Sequence, residues 1–381
     1  MQGNLQQRGP SSWRIRVFVG RDEAGKKRYI ERTVRGTKRE AQRVMARLVT
    51  EVDEGRHVAA ASTRFGEVLD RWLEIKATVV EPTTLASYRW IANTYVAPAL
   101  GSLPLDKIRA LDLDRLYARL RAGGSGTGGE LSPRTVRLCH TVVSQTLDQA
   151  RRWGLVARNV ATDATVPKSR KGEIIPPSVD TLRHLLVMAV EVDAEFALYL
   201  RVLAATGCRR SEVLALRWTD VELATGELRI RRALAIVDSK VIEKDTKTHQ
   251  ARRIAIDPAT LAALETHRLQ IEDRAQQLGI ALADDALLFC SDDYRQKPWR
   301  PDVVTNRFVR LCRRASVSGV RLHDLRHFVA TNLGAAGTPI ATISARLGHR
   351  DVATTLNVYS HSLPAADRAA ASTLGHLLAW E

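Results

Sequence analysis

From residue 12 the chain alternates. Trp13, Ile15, Val17 and Val19 fall on one side, Arg14, Arg16 and Phe18 on the other. This period of two is that of a half-buried strand. Residues 22–26, with Gly25, supply a turn, and 28–34 a second strand that adds Arg28 and Arg32. Thr37 and Glu40 form a capping box, in which hydroxyl and carboxylate each satisfy a free helix N–H. Behind it Ala41, Val44, Leu48 and Val52 recur at helical spacing to about residue 53. A small sheet backed by one helix is expected. Past a linker at 57–63 the period lengthens. Phe65, Leu69 and Trp72 mark a helix, and Pro82-Thr83 opens another carrying Tyr88, Ile91 and Tyr95. Leu113, Leu116, Tyr117 and Leu120 stripe a third. Ser132-Pro133, an N-cap followed by a first-turn proline, starts a fourth that Gly154 closes. His140, on its apolar face, reads as a core or interface histidine.

Residues 166–177 are basic and proline-bearing, a second linker by composition. Helices are expected at 179–190, 194–205 and 209–217, then strands at 227–231, 241–243 and 252–256. A long helix follows over 258–277, and helices dominate to the end. Residues 365–380 form an amphipathic pattern with Leu374, Leu377, Leu378 and Trp380. The fold class is multidomain and mainly α, with a small N-terminal sheet and a small antiparallel sheet in the last domain.

Charge narrows the function. The 381 residues carry a formal net charge of +16, which points to a polyanion such as nucleic acid. Residues 1–60 hold 14 Lys and Arg against 7 Asp and Glu. A two-stranded ribbon fits a DNA major groove, which makes Arg14, Arg16, Arg28 and Arg32 candidate DNA contacts. The cysteines Cys139, Cys208, Cys290 and Cys312 show no metal-ligand spacing. No apolar run has the length of a membrane span, and the start, MQGNLQQRGP, lacks the apolar core of a secretory signal. A cytoplasmic protein without membrane partners is expected.

Four pieces of the last domain carry chemistry. They are TGCRRSE at 206–212, TKT at 246–248 with Arg252-Arg253 after it, HDLRH at 323–327, and LGH at 347–349 followed by Tyr359-Ser360-His361. In this order and spacing they resemble the tyrosine recombinase (phage integrase) family. The resemblance implies an arm-type DNA-binding domain at 1–58, a helical, SAM-like core-binding domain at 63–165 and a catalytic domain at 176–381. It assigns Arg209 and Arg326 as a clamp on the non-bridging phosphate oxygens, with His323 and His349 donating hydrogen bonds to the same phosphate. Lys247 would be the general acid for the departing 5′ oxygen, although Lys240 and Lys244 lie in the same strand-rich region. Tyr359 would be the nucleophile, becoming a 3′-phosphotyrosine. Glu212 would orient neighbouring basic groups without touching DNA.

The chemistry explains these residue types. Phosphoryl transfer gathers negative charge on the non-bridging oxygens, and guanidinium forks match that charge. A phenol needs activating neighbours to attack. No acidic cluster of two-metal type appears, so cleavage is expected to need no metal, ATP or cofactor. The resemblance further implies integration and excision at DNA attachment core sites and arm sites by a homotetramer, aided by a host DNA-bending protein and an excision factor. A type IB topoisomerase carries a similar catalytic kit, and a DNA-binding regulator that has lost catalysis is a third possibility.

Overall fold

The computed structural model describes residues 3–21, 25–53, 63–123, 128–168, 175–245 and 251–349. Lys247, Tyr359, His361, residues 22–24 of the expected turn, residues 57–62 and 169–174 of the linkers and the expected helix at 365–380 lie outside the described residues. The chain divides into two compact units, Met1–Lys171 and Gly172–Glu381.

The first unit contains two separate apolar clusters. Strands β1 (Gly3–Gly9), β2 (Ser12–Arg21) and β3 (Lys27–Arg35) form an antiparallel sheet in that order. Helix α1 (Lys38–Asp53) covers one face, burying Ile15 and Val17 against Ala41, Leu48 and Val52. The capping box is formed: Thr37 N–H donates to Glu40 Oε2 at 2.7 Å, and Glu40 N–H to Thr37 Oγ1 at 3.3 Å. Strand β1 was not expected from the sequence. Its stretch GNLQQRG offers one apolar side chain, Leu5, set opposite Ile15, so its conformation comes from pairing with the free edge of β2 rather than from its own pattern.

The other cluster is helical. It joins α2 (Phe65–Val79), α3 (Pro82–Ile91), a π-helical turn leading into α4 (Ala97–Leu100), α5 (Ala110–Arg121) and α6 (Pro133–Arg152). Phe65, Leu69, Trp72, Leu113 and Tyr117 are fully or almost fully buried there, each contributing about 1.5–3 kcal/mol by leaving water. Ser132 caps α6 by accepting from Thr135 N–H at 3.2 Å. His140 is half-buried and its Nδ1 lies 3.0 Å from the Tyr117 hydroxyl, the packing role expected of it.

The second unit begins with α7 (Val179–Val192) and α8 (Ala194–Thr206). A short α9 (Arg210–Val213) replaces the longer helix expected at 209–217. Val213, Leu214, Ala215 and Leu216 are all buried, so this apolar run fills the core in an irregular path. Strands β4 (Val221–Glu222), β5 (Glu227–Ile230) and β8 (Arg252–Ala255) form one antiparallel sheet, and β6 (Arg232–Val237) pairs with β7 (Lys240–Asp245) in another. β6 was likewise not expected from the sequence, because it follows β5 with no turn residue between them. Helices α10 (Pro258–Leu278), α11 (Pro301–Arg314), α12 (Asp324–Ala335) and α13 (Ile340–Leu347) complete the unit. Its core contains an aromatic group of Phe196, Tyr199, Phe289 and Trp299, with Tyr199 set edge-on to Phe289 at 5.3 Å between centroids. The Tyr199 hydroxyl leaves this group to donate to Arg210 O at 3.3 Å, tying the core to the turn that carries Arg209. No helix among the described residues is long and apolar enough to cross a membrane.

Candidate active site

The site is assembled where α8 ends. Gly207 caps that helix in the left-handed conformation, φ 68°. A Cβ there would lie 2.5 Å from Leu347 Cδ2 and 3.1 Å from Val329 Cγ1, so the end of α8 meets α12 and α13 at a position only glycine fits. Gly207→Ala is expected to destabilise the unit by about 2–4 kcal/mol through backbone strain plus overpacking, read as a lower midpoint of denaturant unfolding.

Two residues on, Arg209 occupies the position before α9, where its N–H donates to Glu212 Oε2 at 2.9 Å. Its Nη1 donates to Glu212 Oε1 at 2.7 Å and its Nη2 to Gly348 O at 2.9 Å. Arg326, in the first turn of α12, is 5% exposed. Its Nη1 donates to Gly207 O at 2.8 Å, and its Nη2 is buried with no hydrogen-bond partner among the described residues. A buried donor left unmatched is costly, and an anion reaching it would supply the acceptor. Burial, and then the nearby Arg209 charge, push the Arg326 guanidinium down to about 9, which still leaves it a cation at neutral pH.

His323 immediately precedes α12, and its ring stands edge-on to that of His327 at 5.0 Å. The buried carboxylate of Asp324 accepts from Arg321 N–H at 2.8 Å and from Arg321 Nη2 at 3.0 Å, holding the turn before the helix. His349 follows α13 across Gly348, which is left-handed at φ 65°, and its N–H donates to Ser344 O at 3.0 Å. Burial pushes His323 down to about 4, assisted by His327 and Arg326. Burial pushes His349 to about 4 as well, assisted by Arg326 and Arg209. Both imidazoles are therefore neutral at pH 7, each with one ring N–H to donate.

Glu212 is 1% exposed and sits between two guanidiniums. Besides Arg209 it accepts from Arg252, Nη2 to Oε2 at 2.7 Å and Nη1 to Oε1 at 3.3 Å. Burial opposes its charge, but the Arg252 hydrogen bond and both arginine charges keep its carboxyl below the usual range. Arg209, Glu212, His323, Arg326 and His349 are thus brought together from three separated stretches. In the sequence Arg252 stands out only by its spacing after Lys247. The signal that finds it is alternation: with Ile254 buried and Arg253 exposed, Arg252 must face inward. Lys240 and Lys244, the alternatives to Lys247, both lie on β7, which ends at Asp245.

The N-terminal candidates divide. Strand register sets Arg16 opposite Glu31 and Arg14 opposite Thr33, on the face away from α1. There Arg14 and Arg16 both pair with Glu31, and Arg16 lies 3.9 Å over the Tyr29 ring. The Arg14 hydrogen bond holds the Glu31 carboxyl below its usual range. Arg32 sits opposite Ile15 and so belongs to the other face, and the Arg28 side chain lies outside the described ones.

Comparison with known proteins supplies the family. The description "Phage integrase family" matches residues 179–365, and "Phage integrase, N-terminal SAM-like domain" matches 64–121. The ICEBs1 integrase of Bacillus subtilis (strain 168) is 26% identical over 369 residues, covering 96% of this chain and 97% of its own. Among solved structures, the Tn1549 transposon integrase in complex with transposon right end DNA aligns at 19% identity with a TM-score of 0.68, covering 82% of this chain and 99% of that one. A lambda integrase tetramer bound to a Holliday junction aligns at 17% identity with a TM-score of 0.58, over 92% and 96%. The two family matches together cover well over half of the sequence, and the second of them in chain order includes every residue of the cluster around Glu212: the chain belongs to the phage integrase family of tyrosine recombinases.

Proposed function

We propose that this chain is a site-specific DNA recombinase, an integrase of a prophage or other mobile element, that cuts DNA by attack of Tyr359 and rejoins it from a 3′-phosphotyrosyl intermediate. The observation that supports this most is the gathering of His323 and His349 close to Arg326 and Arg209, the latter held by the buried Glu212, with an unmatched guanidinium N–H of Arg326 among them. Two cations and two neutral imidazole donors suit a phosphate whose oxygens gain charge as the bond breaks. In this reading Lys247 protonates the leaving 5′ oxygen, and the covalent intermediate conserves the bond energy that rejoining needs, so no ATP is consumed.

Residues 1–58 then hold arm sites, with Arg14 and Arg16 on the groove-facing side. Residues 63–165 bind the core site and 176–381 carry catalysis. Exchange between two DNA partners calls for a homotetramer on DNA, helped by a host DNA-bending protein and an excision factor. The protein acts on nucleoid DNA in the cytoplasm.

The test is a nicked suicide substrate carrying the attachment core site, which traps the intermediate because the short cut strand diffuses away. The unmodified chain should become covalently linked to the DNA, and the yield should be the same in excess EDTA, since protein cations do the work that metal ions do elsewhere. Loss of the adduct in EDTA with return on adding magnesium would replace this mechanism by a metal-dependent one.

A further inference from the structure

We propose that Arg252 is a positioning residue for strand cleavage: by tying Glu212 to the carboxyl end of α13, it sets where Arg209 and His349 stand when they meet the scissile phosphate. The inference rests on the recombinase reading of the site. Arg252 has its side chain 11% exposed, and its donors go to protein acceptors. Nη2 and Nη1 take the two oxygens of Glu212, and Nε donates to Arg346 O at 3.0 Å. Nη2 also lies 3.6 Å from Cys208 Sγ. Arg209 repeats the arrangement from the other side, with Nη1 on Glu212 and Nη2 on Gly348 O. One carboxylate thus holds two guanidiniums, and each guanidinium also holds one of the carbonyls, Arg346 and Gly348, just before His349.

Gly348 shows how closely this is fitted. A Cβ on it would fall 2.8 Å from Arg252 Nη1 and 2.9 Å from Cζ, so the guanidinium lies directly against the backbone it positions. An ion pair serving only stability would need Glu212 and not the α13 carbonyl. Arg252 is moreover the first residue of β8, five positions after Lys247, so it anchors the strand into which the lysine segment runs. A planar fork can span the carboxylate and a carbonyl together, whereas a lysine ammonium offers one charged point.

The test measures single-turnover adduct formation on the nicked substrate for the full chain and for Arg252→Lys and Arg252→Met, with DNA affinity and melting temperature alongside. The expected result is a cleavage rate per bound complex about 10- to 100-fold lower in both variants, the usual effect of misplacing a group that contacts the reacting centre, with Kd changed less than about threefold for DNA held by many other contacts. The rate–pH profile adds a readout that a stability role would not move. Without Arg252 the Glu212 carboxyl loses its shortest side-chain hydrogen bond and one of the charges that oppose its burial, leaving Arg209 and Arg326, so the Arg252→Met rate should fall off toward low pH earlier than that of the parent. Arg252→Lys keeps a charge beside Glu212 and should show that earlier fall weakly or not at all. Variants that cleave at the parent rate per bound complex, or lose only melting temperature with an unchanged pH profile, would overturn the proposal. A parent chain that forms no Tyr359-dependent adduct would overturn the recombinase reading beneath it.

Discussion

Tyr359→Phe is expected to bind attachment-site DNA as the parent does and to form no covalent adduct. The change removes one oxygen, and that oxygen is the proposed nucleophile. The basic surfaces that hold the phosphate backbone are untouched, so affinity should stay within about twofold. Cleavage should drop by at least about 10⁴-fold, the scale on which removal of a nucleophile acts in enzymes that proceed through a covalent intermediate. The check pairs a gel-shift titration with denaturing electrophoresis of the nicked-substrate reaction. An adduct of unchanged yield in Tyr359→Phe would assign the nucleophile elsewhere, and the neighbouring Ser360 would be the first residue to examine.

The second large effect should come from Arg326. Arg326→Ala removes a buried guanidinium whose Nη2 has no partner among the described residues, and adduct formation should fall by about 10³-fold or more, the range for arginines that meet transferring phosphoryl groups. Arg326→Lys separates charge from geometry. A lysine restores a cation but cannot both donate to Gly207 O, as Nη1 does at 2.8 Å, and present a second fixed N–H to the phosphate. It should recover no more than a small part of the lost rate. Melting temperature must be followed in both variants because Arg326 also braces the end of α8. Full activity in the lysine variant would mean that net charge suffices and that no directed clamp exists.

How much of this was legible in the amino acids depends on where each structure gets its information. β2, β3 and α1 declare themselves because Ile15, Val17, Ala41 and Leu48 repeat at the period of their own element. β1 does not, since a strand of glutamines held by one neighbouring edge carries no period. The run 213–216 misleads for the opposite reason: four consecutive buried residues look like the continuation of a helix, yet α9 ends at Val213 and the other three fill the core beyond it. In the site, Arg209, His323, Arg326 and His349 could be picked out because each stands in a short motif and the motifs come in a recognisable order. Arg252 could not be ranked, because an arginine pair on a short strand looks like exposed charge until Ile254 shows which of the two points inward. The division of Arg14 and Arg16 from Arg32 likewise needed the register, which sets Arg32 opposite buried Ile15.

Glu212 draws its partners from residues 209, 252 and, through the carbonyls those arginines hold, 346 and 348. No short stretch of the polypeptide contains the kit: Arg209 and the carbonyl it holds at Gly348 are 139 residues apart, so the parts meet only once the chain has been made through Gly348. A nascent chain that stops short of that point would carry the basic N-terminal unit without the assembled cluster, whereas the second unit holds every part of it.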